Sequence, residues 1–267
     1  MRVFDLTLFL YGLVVALSLV LLTWIVSLFR DDVSIVDSLW SLIFLVLSVS
    51  WFMAYEFTTH RSGIVLALVA LWALRLSAYI TWRNKGEGED ARYQAMRRKY
   101  SPHFAFKSLF IVFLLQGLIA WFISLPLLAA ITGSRPLNLF DGLAAALVIF
   151  GTLYESIADA QLAAFKAKPD NQGRVMNHGL WRYTRHPNYF GECCVWWGFY
   201  LFAVAAGGWW SMLSPLMMTF LLLRVSGVAL LEKDIVERRP AYRQYIEQTN
   251  AFIPGLPRNS RKEVLQR

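Results

Sequence analysis

Six ionisable side chains stand inside stretches otherwise apolar enough to cross a membrane: Asp37, Arg75, Glu155, Asp159, Glu192 and Arg224. A charge at the centre of a transmembrane helix costs about 2.5–3.5 kcal/mol on insertion scales, so such residues face one another or line a polar cavity. Two roles are open to them. They can form structural ion pairs between helices, or they can converge on a site. Arg75 and Tyr79 are four residues apart, as are Glu155 and Asp159, and Asn188 and Glu192, so each pair shares a helix face.

A second constellation runs from Gly179 to Glu192 and leads into an apolar stretch. Pro187 suits the first turn of a helix, where its missing N–H costs nothing. Arg182, Arg185 and His186, with Tyr183 among them and Arg174 upstream, then crowd the positive end of that helix. Such a group attracts phosphate, or snorkels to lipid headgroups. No metal is expected. His60, His103, His178 and His186 lack ligand spacing, and the adjacent Cys193 and Cys194 suit neither a disulfide nor a thiolate site. The run Gly86-Glu87-Gly88-Glu89-Asp90-Ala91 imitates a dinucleotide fingerprint. It follows a membrane helix rather than a strand, and its three carboxylates would repel a pyrophosphate.

The elements that must position these groups are membrane helices. The 267 residues are 57% hydrophobic and 16% charged, against about 25% charged in soluble domains. A span needs about 20 apolar residues, and seven segments qualify: 6–29, 34–56, 63–82, 108–131, 139–159, 191–207 and 209–231. The expected fold is therefore all-α, a polytopic integral membrane protein with seven transmembrane helices, read as one domain over 1–267. Lys and Arg crowd segments 83–107, 160–190 and the tail after 232, whereas loops 57–62 and 132–138 carry only Arg61 and Arg135. The positive-inside rule puts the basic segments and the C-terminus in the cytosol and the N-terminus outside, as in a bacterial inner membrane. All six buried charges then fall in the cytosolic half of the bilayer. A net charge of +8 needs no nucleic acid as partner, because basic loops normally lie beside anionic membrane lipid.

The run Arg185-His186-Pro187-Asn188-Tyr189-Phe190-Gly191-Glu192 resembles the signature of steroid 5α-reductases and sterol reductases. Ser34-Ile35-Val36-Asp37, Trp40, Arg83-Asn84, Gly88-Glu89-Asp90, Arg92-Tyr93, Ala158-Asp159, Leu231-Glu232-Lys233 and Arg239-Pro240 extend the likeness along the chain. The resemblance implies a membrane reductase that holds NADPH and takes a lipophilic enone, such as a 3-oxo-Δ4-steroid, from the bilayer. It implies that Asp37, protonated, meets the substrate carbonyl, with Tyr189 and Glu192 as further catalytic candidates; a purely structural Asp37 would be ionised and paired with Arg75 or Arg224. Trp40 and Trp72 are implied to wall the substrate, Trp72 standing where animal enzymes have tyrosine. Arg75, Tyr79, Asn84, Glu155, Asp159, Arg174, Asn188 and Arg224 are implied cofactor contacts, and Glu192 fixes the nicotinamide carboxamide. Two other readings stand beside it: an S-adenosylmethionine-dependent membrane methyltransferase, whose looser signature is similar, and a non-catalytic lipid-binding protein.

Overall fold

Every described element of the computed structural model, which covers residues 4–225, 227–232 and 235–258, is a helix, turn or loop; no strand occurs among these residues. Helix α1 spans Leu6–Arg30, opened by the Asp5 carboxylate accepting the Leu8 N–H and closed by Asp31 in the left-handed region. Helices α2 (Ile35–Ala54) and α3 (His60–Asn84) follow, the latter begun by a reciprocal cap between Thr59 and Ser62. Such a cap satisfies two N–H groups that the first helical turn leaves open.

Helix α4 (Ala91–Lys99) is short and polar, capped by Asp90, with Arg97, Arg98 and Lys99 in its last turn, where cations oppose the helix dipole. The fourth span is a composite: α5 (Phe104–Ser108), a π-helical turn (Leu109–Leu114) and α6 (Leu115–Ile123), after which the chain breaks at Ser124. Helix α7 (Leu125–Thr132) restarts with Pro126 in its first turn, where proline removes no helical hydrogen bond. The sequence pattern ran unbroken through this break.

Helices α8 (Leu139–Lys166) and α9 (Pro187–Ala206) are long; α9 begins at Pro187, as the first-turn preference of proline implies. The seventh span is interrupted: α10 (Leu213–Phe220), a π-helical turn (Leu221–Val225), α11 (Val228–Glu232) and α12 (Ile235–Arg238). Helix α13 (Tyr242–Gln248) ends the described helices. Among the described residues, seven helices are long and apolar enough to cross a membrane. They overlap the seven expected segments in order, with the fourth ending at Ile123 rather than 131 and the fifth running on to Lys166, and the chain has the architecture of a multi-pass integral membrane protein.

The chain divides into two compact units. In the first, Met1–Gly142 with Phe199–Ser214, polar groups on apolar helices close on neighbouring backbones. Trp51 donates its indole N–H to the Leu8 carbonyl at 2.8 Å, Trp121 to that of Phe9 at 2.7 Å, and Ser41 its hydroxyl to that of Ala73 at 2.8 Å. Arg61 and Asp141 form a bidentate ion pair in its interior. In the second unit, Leu143–Gly198 with Pro215–Arg267, α8 and α9 approach at two glycines. A Cβ on Gly191 would lie 2.7 Å from the Gly151 carbonyl oxygen and the Glu155 nitrogen. Only glycine allows backbones that close.

Candidate functional site

In the first unit the chemistry gathers on Asp37, in the first turn of α2. Gly86 and Gly88, at φ 87° and 71°, turn the chain after α3. The Glu89 carboxylate then accepts the Val33 N–H at 3.0 Å, and the Asp90 N–H donates to the Ser34 hydroxyl at 3.0 Å. The imitation of a dinucleotide fingerprint is thus a clasp between the 85–90 loop and the residues before α2. Arg97 reinforces it, bridging Glu89 at 2.9 Å and Asp31 at 3.0 Å.

Docked in this way, α4 turns two side chains onto Asp37. Arg92 places Nη2 2.6 Å from Oδ2, and the Tyr93 hydroxyl donates to Oδ1 at 2.7 Å. Gln116 donates to the same phenol oxygen at 3.3 Å. Burial, followed by the charge of Asp37, pushes the Tyr93 phenol well above its ordinary value. Burial works against the Arg92 cation, but its bond to Asp90 and the charges of Asp37 and Asp90 outweigh it and raise the guanidinium. Asp90 is likewise lowered, its partial burial outweighed by its bonds to Arg92.

This geometry changes the expected role of Asp37. Its cation is Arg92 of α4, neither the Arg75 nor the Arg224 that a purely structural role would have given it. The two Asp37 carboxylate oxygens accept from Arg92 at 2.6 Å and from Tyr93 at 2.7 Å, the arrangement of a hydrogen-bond acceptor rather than a donor.

Trp40, half-buried, meets Phe44 edge-on at 5.3 Å, and Phe44 lies 5.9 Å from Trp72. The two tryptophans thus belong to one aromatic ladder, but Trp72 is fully enclosed, which leaves Trp40 as the ring accessible to a lipid-soluble molecule. Arg75 lies over the Tyr79 ring at 5.5 Å, on the shared face that their spacing requires. Asn84 accepts from Arg83 at 3.1 Å.

In the second unit Glu155, Asp159 and Glu192 are all buried. Asn188 donates to Asp159 at 3.3 Å, which joins two of the expected cofactor contacts across α8 and α9. The 179–186 segment is pinned over the end of α8. The Leu180 N–H donates to Gln161 at 2.9 Å, the Trp181 indole to the Ala158 carbonyl at 3.0 Å, and Tyr245 of α13 holds the Trp181 carbonyl.

Arg185 and His186 depart from their expected part in holding a phosphate. Arg185 makes a bidentate pair with Glu232 at 2.7 and 2.8 Å and donates to the Thr249 carbonyl at 2.6 Å. His186 Nε2 lies 2.8 Å from the same Glu232, and its ring stacks on Tyr189. Both are buried, and their polar atoms latch the segment onto the C-terminal helices. Arg174, Arg182 and Tyr183 are exposed, as is Arg224 in the π-helical turn. Of the basic cluster, Arg174 and Arg182 are the members that present a cation outward.

Arg92, Tyr93 and Glu232 are the partners of candidate site residues that residue types and spacing did not single out. Arg92 lies 55 residues from Asp37, and Glu232 lies 47 from Arg185. All three fall within segments that carry the resemblance, the one signal that touched them.

No group of three or more His, Cys, Asp or Glu residues able to hold a metal occurs among the described residues. No solved structure matches the chain. A protein of Schizosaccharomyces pombe, named as the uncharacterized protein C594.04c, is 29% identical over 281 residues, covering 93% of this chain and 80% of that relative. A family model described as a protein of unknown function, DUF1295, matches residues 23–249, and the chain belongs to that family.

Proposed function

We propose that the protein is an integral-membrane, NADPH-dependent reductase of a conjugated C=C bond in a lipophilic enone, with a 3-oxo-Δ4-steroid as the first substrate to test. The observation that carries this reading is the Tyr93–Asp37–Arg92 node at the start of a membrane helix, one helical turn from Trp40. Reduction of an enone builds negative charge on its carbonyl oxygen, and a hydrogen-bond donor placed there lowers the barrier. Tyr93 keeps its proton, Asp37 orients the phenol, and Arg92 fixes Asp37 in place. As charge grows on the carbonyl oxygen it becomes the stronger acceptor, and the phenol hydrogen turns to it from Asp37.

The donor set fits a dinucleotide. Exposed Arg174 and Arg182 suit its phosphates, and the Asn188–Asp159 pair with Glu192 suits amide and hydroxyl groups. When bound, the nicotinamide supplies the hydride. The loop charges support a cytosolic α4 and C-terminus, an external N-terminus and a bacterial cell membrane as location.

The test is NADPH oxidation by the detergent-solubilised protein with a 3-oxo-Δ4-steroid, together with calorimetry of NADPH binding. Arg174→Gln is expected to weaken that binding by about 1.5–3 kcal/mol, the share of a charge-assisted hydrogen bond. Tight binding of S-adenosylmethionine with none of NADPH would overturn the reading in favour of a methyltransferase.

A further inference from the structure

We propose that Gln116 is a positioning residue for the reaction: its amide holds the Tyr93 phenol oxygen and supports the negative charge that this oxygen gains as its O–H turns to the substrate carbonyl. The proposal rests on the reductase reading above. Gln116 Nε2 donates to Tyr93 Oη at 3.3 Å, the one hydrogen bond its side chain makes among the described residues. Between Leu109 and Ile123 no other side chain carries an amide, a hydroxyl or a charge, and the segment belongs to a helix apolar enough to cross a membrane. A polar group in such a place is costly and is kept for a bond or a site. Glutamines of this kind often join one span to another. This one instead meets α4, outside the spans, at a phenol that the Asp37 carboxylate already holds at 2.7 Å.

Backbone geometry delivers the amide. The π-helical turn Leu109–Leu114 runs directly into α6, whose second residue is Gln116. A π turn closes its bonds five residues apart, so every residue beyond it is swung back by about one residue's rotation, roughly 100°. Continued from α5 as an unbroken α-helix, the span would bring Leu115 to the place that Gln116 holds. Single π turns are frequent at functional sites, and this one exchanges an apolar side chain for a donor beside the phenol.

A phenol has one hydrogen to give and lone pairs to receive with. The Tyr93 hydrogen points to Asp37, and Gln116 donates to the oxygen that carries it. Burial and the charge of Asp37 oppose negative charge on that oxygen, whereas the Arg92 cation and the Gln116 amide favour it. As the O–H turns to a carbonyl oxygen that is gaining charge, the phenol oxygen becomes the better acceptor and the amide bond can tighten. Catalytic hydrogen bonds are often long before substrate binds.

The experiment compares Gln116→Met, Tyr93→Phe and the double variant of the full-length protein in detergent. Gln116→Met keeps the length of the side chain and removes the donor. In chemical denaturation it should lower the midpoint in the wild type and not in the Tyr93→Phe background, where the phenol oxygen is already gone. In steady-state reduction of a 3-oxo-Δ4-steroid by NADPH it should lower kcat about five- to tenfold, the share of one neutral hydrogen bond. The KM for the steroid and the NADPH affinity should not change, and no further loss should appear on Tyr93→Phe. A merely structural amide shifts the midpoint and leaves kcat per folded enzyme intact; that result overturns the proposal, as does an equal midpoint shift in both backgrounds. Gln116→Asn keeps an amide but withdraws it by one methylene. It should lose kcat likewise, and it decides the matter if Gln116→Met does not fold. A wild type that reduces no enone overturns the reductase reading and this proposal together, whereas full kcat in the Gln116 variants of an active enzyme overturns this proposal alone.

Discussion

Replacing Tyr93 by Phe removes one oxygen and almost no volume, and so isolates the bond to Asp37. That bond is 2.7 Å long, ends on a charged acceptor and lies on a side chain only 6% exposed. Hydrogen bonds to charged groups contribute about 1.5–3 kcal/mol net. Asp37 keeps Arg92 at 2.6 Å, so no ion is stranded, and the expected loss is at the lower end, about 1.5–2 kcal/mol. Chemical denaturation in detergent micelles measures it.

The pH dependence has a definite sign. Tyr93 is raised by burial and by Asp37, so folding favours the neutral phenol. Its contribution is whole below the ordinary tyrosine value of about 10 and is lost only as pH rises through the higher folded value. The gap between wild type and Tyr93→Phe should therefore stay constant from neutrality to about pH 10. If Tyr93 meets the substrate, turnover should fall about 100- to 1,000-fold, as for loss of one oxyanion donor, with NADPH affinity unchanged. A variant with wild-type turnover on a verified substrate refutes the role of the phenol. A stability gap that closes between pH 7 and 9 refutes the assignment of the proton.

Glu232→Gln removes the carboxylate that Arg185 and His186 share, leaving one amide oxygen to accept and the buried Arg185 cation without its counter-ion, and should destabilise the fold by about 3 kcal/mol; thermal unfolding and faster proteolysis after α12 report it. Gly191→Ala drives a methyl group into the Gly151 carbonyl and the Glu155 amide, both 2.7 Å from the new atom, and should abolish accumulation of folded protein, whereas Gly142→Ala, which meets nothing within 4 Å, should not. Cysteines at Ser134 and Trp209 should react with impermeant reagents on intact cells, and cysteines at Lys99 and Lys168 should not; the reverse pattern would invert the proposed orientation.

The number of spans was legible because twenty apolar residues in a row have few other fates. The helix breaks were less so. Ser124 and the π-helical turn Leu109–Leu114 sit in a stretch of sustained hydropathy, because a lost or shifted backbone bond leaves no trace in side-chain polarity. Proline at 187 marked its helix start correctly, since its preference is local.

Partner choice was the least legible part. Asp37 stood out by its polarity, but nothing in its neighbourhood named Arg92 or Tyr93, which reach it through the docking of a loop 50 residues on. Adjacency in sequence makes the basic cluster one group. In space Arg185 and His186 turn inward to Glu232 while Arg182 turns outward, a division that charge counting cannot make. Composition identifies which residues need a partner, and only packing says which partner they take.

The buried pair of Arg61 and Asp141, with side chains 0% and 6% exposed, constrains how this sequence can drift. Changing either residue alone strands an ion at a cost of about 3–5 kcal/mol, a large part of the roughly 5–15 kcal/mol that holds a typical domain together. Replacing both by apolar residues of matching volume is often neutral or better. The two positions, 80 residues apart, are therefore yoked: descendants of this chain should keep both charges or neither, and the path between those states runs through an intermediate that selection disfavours.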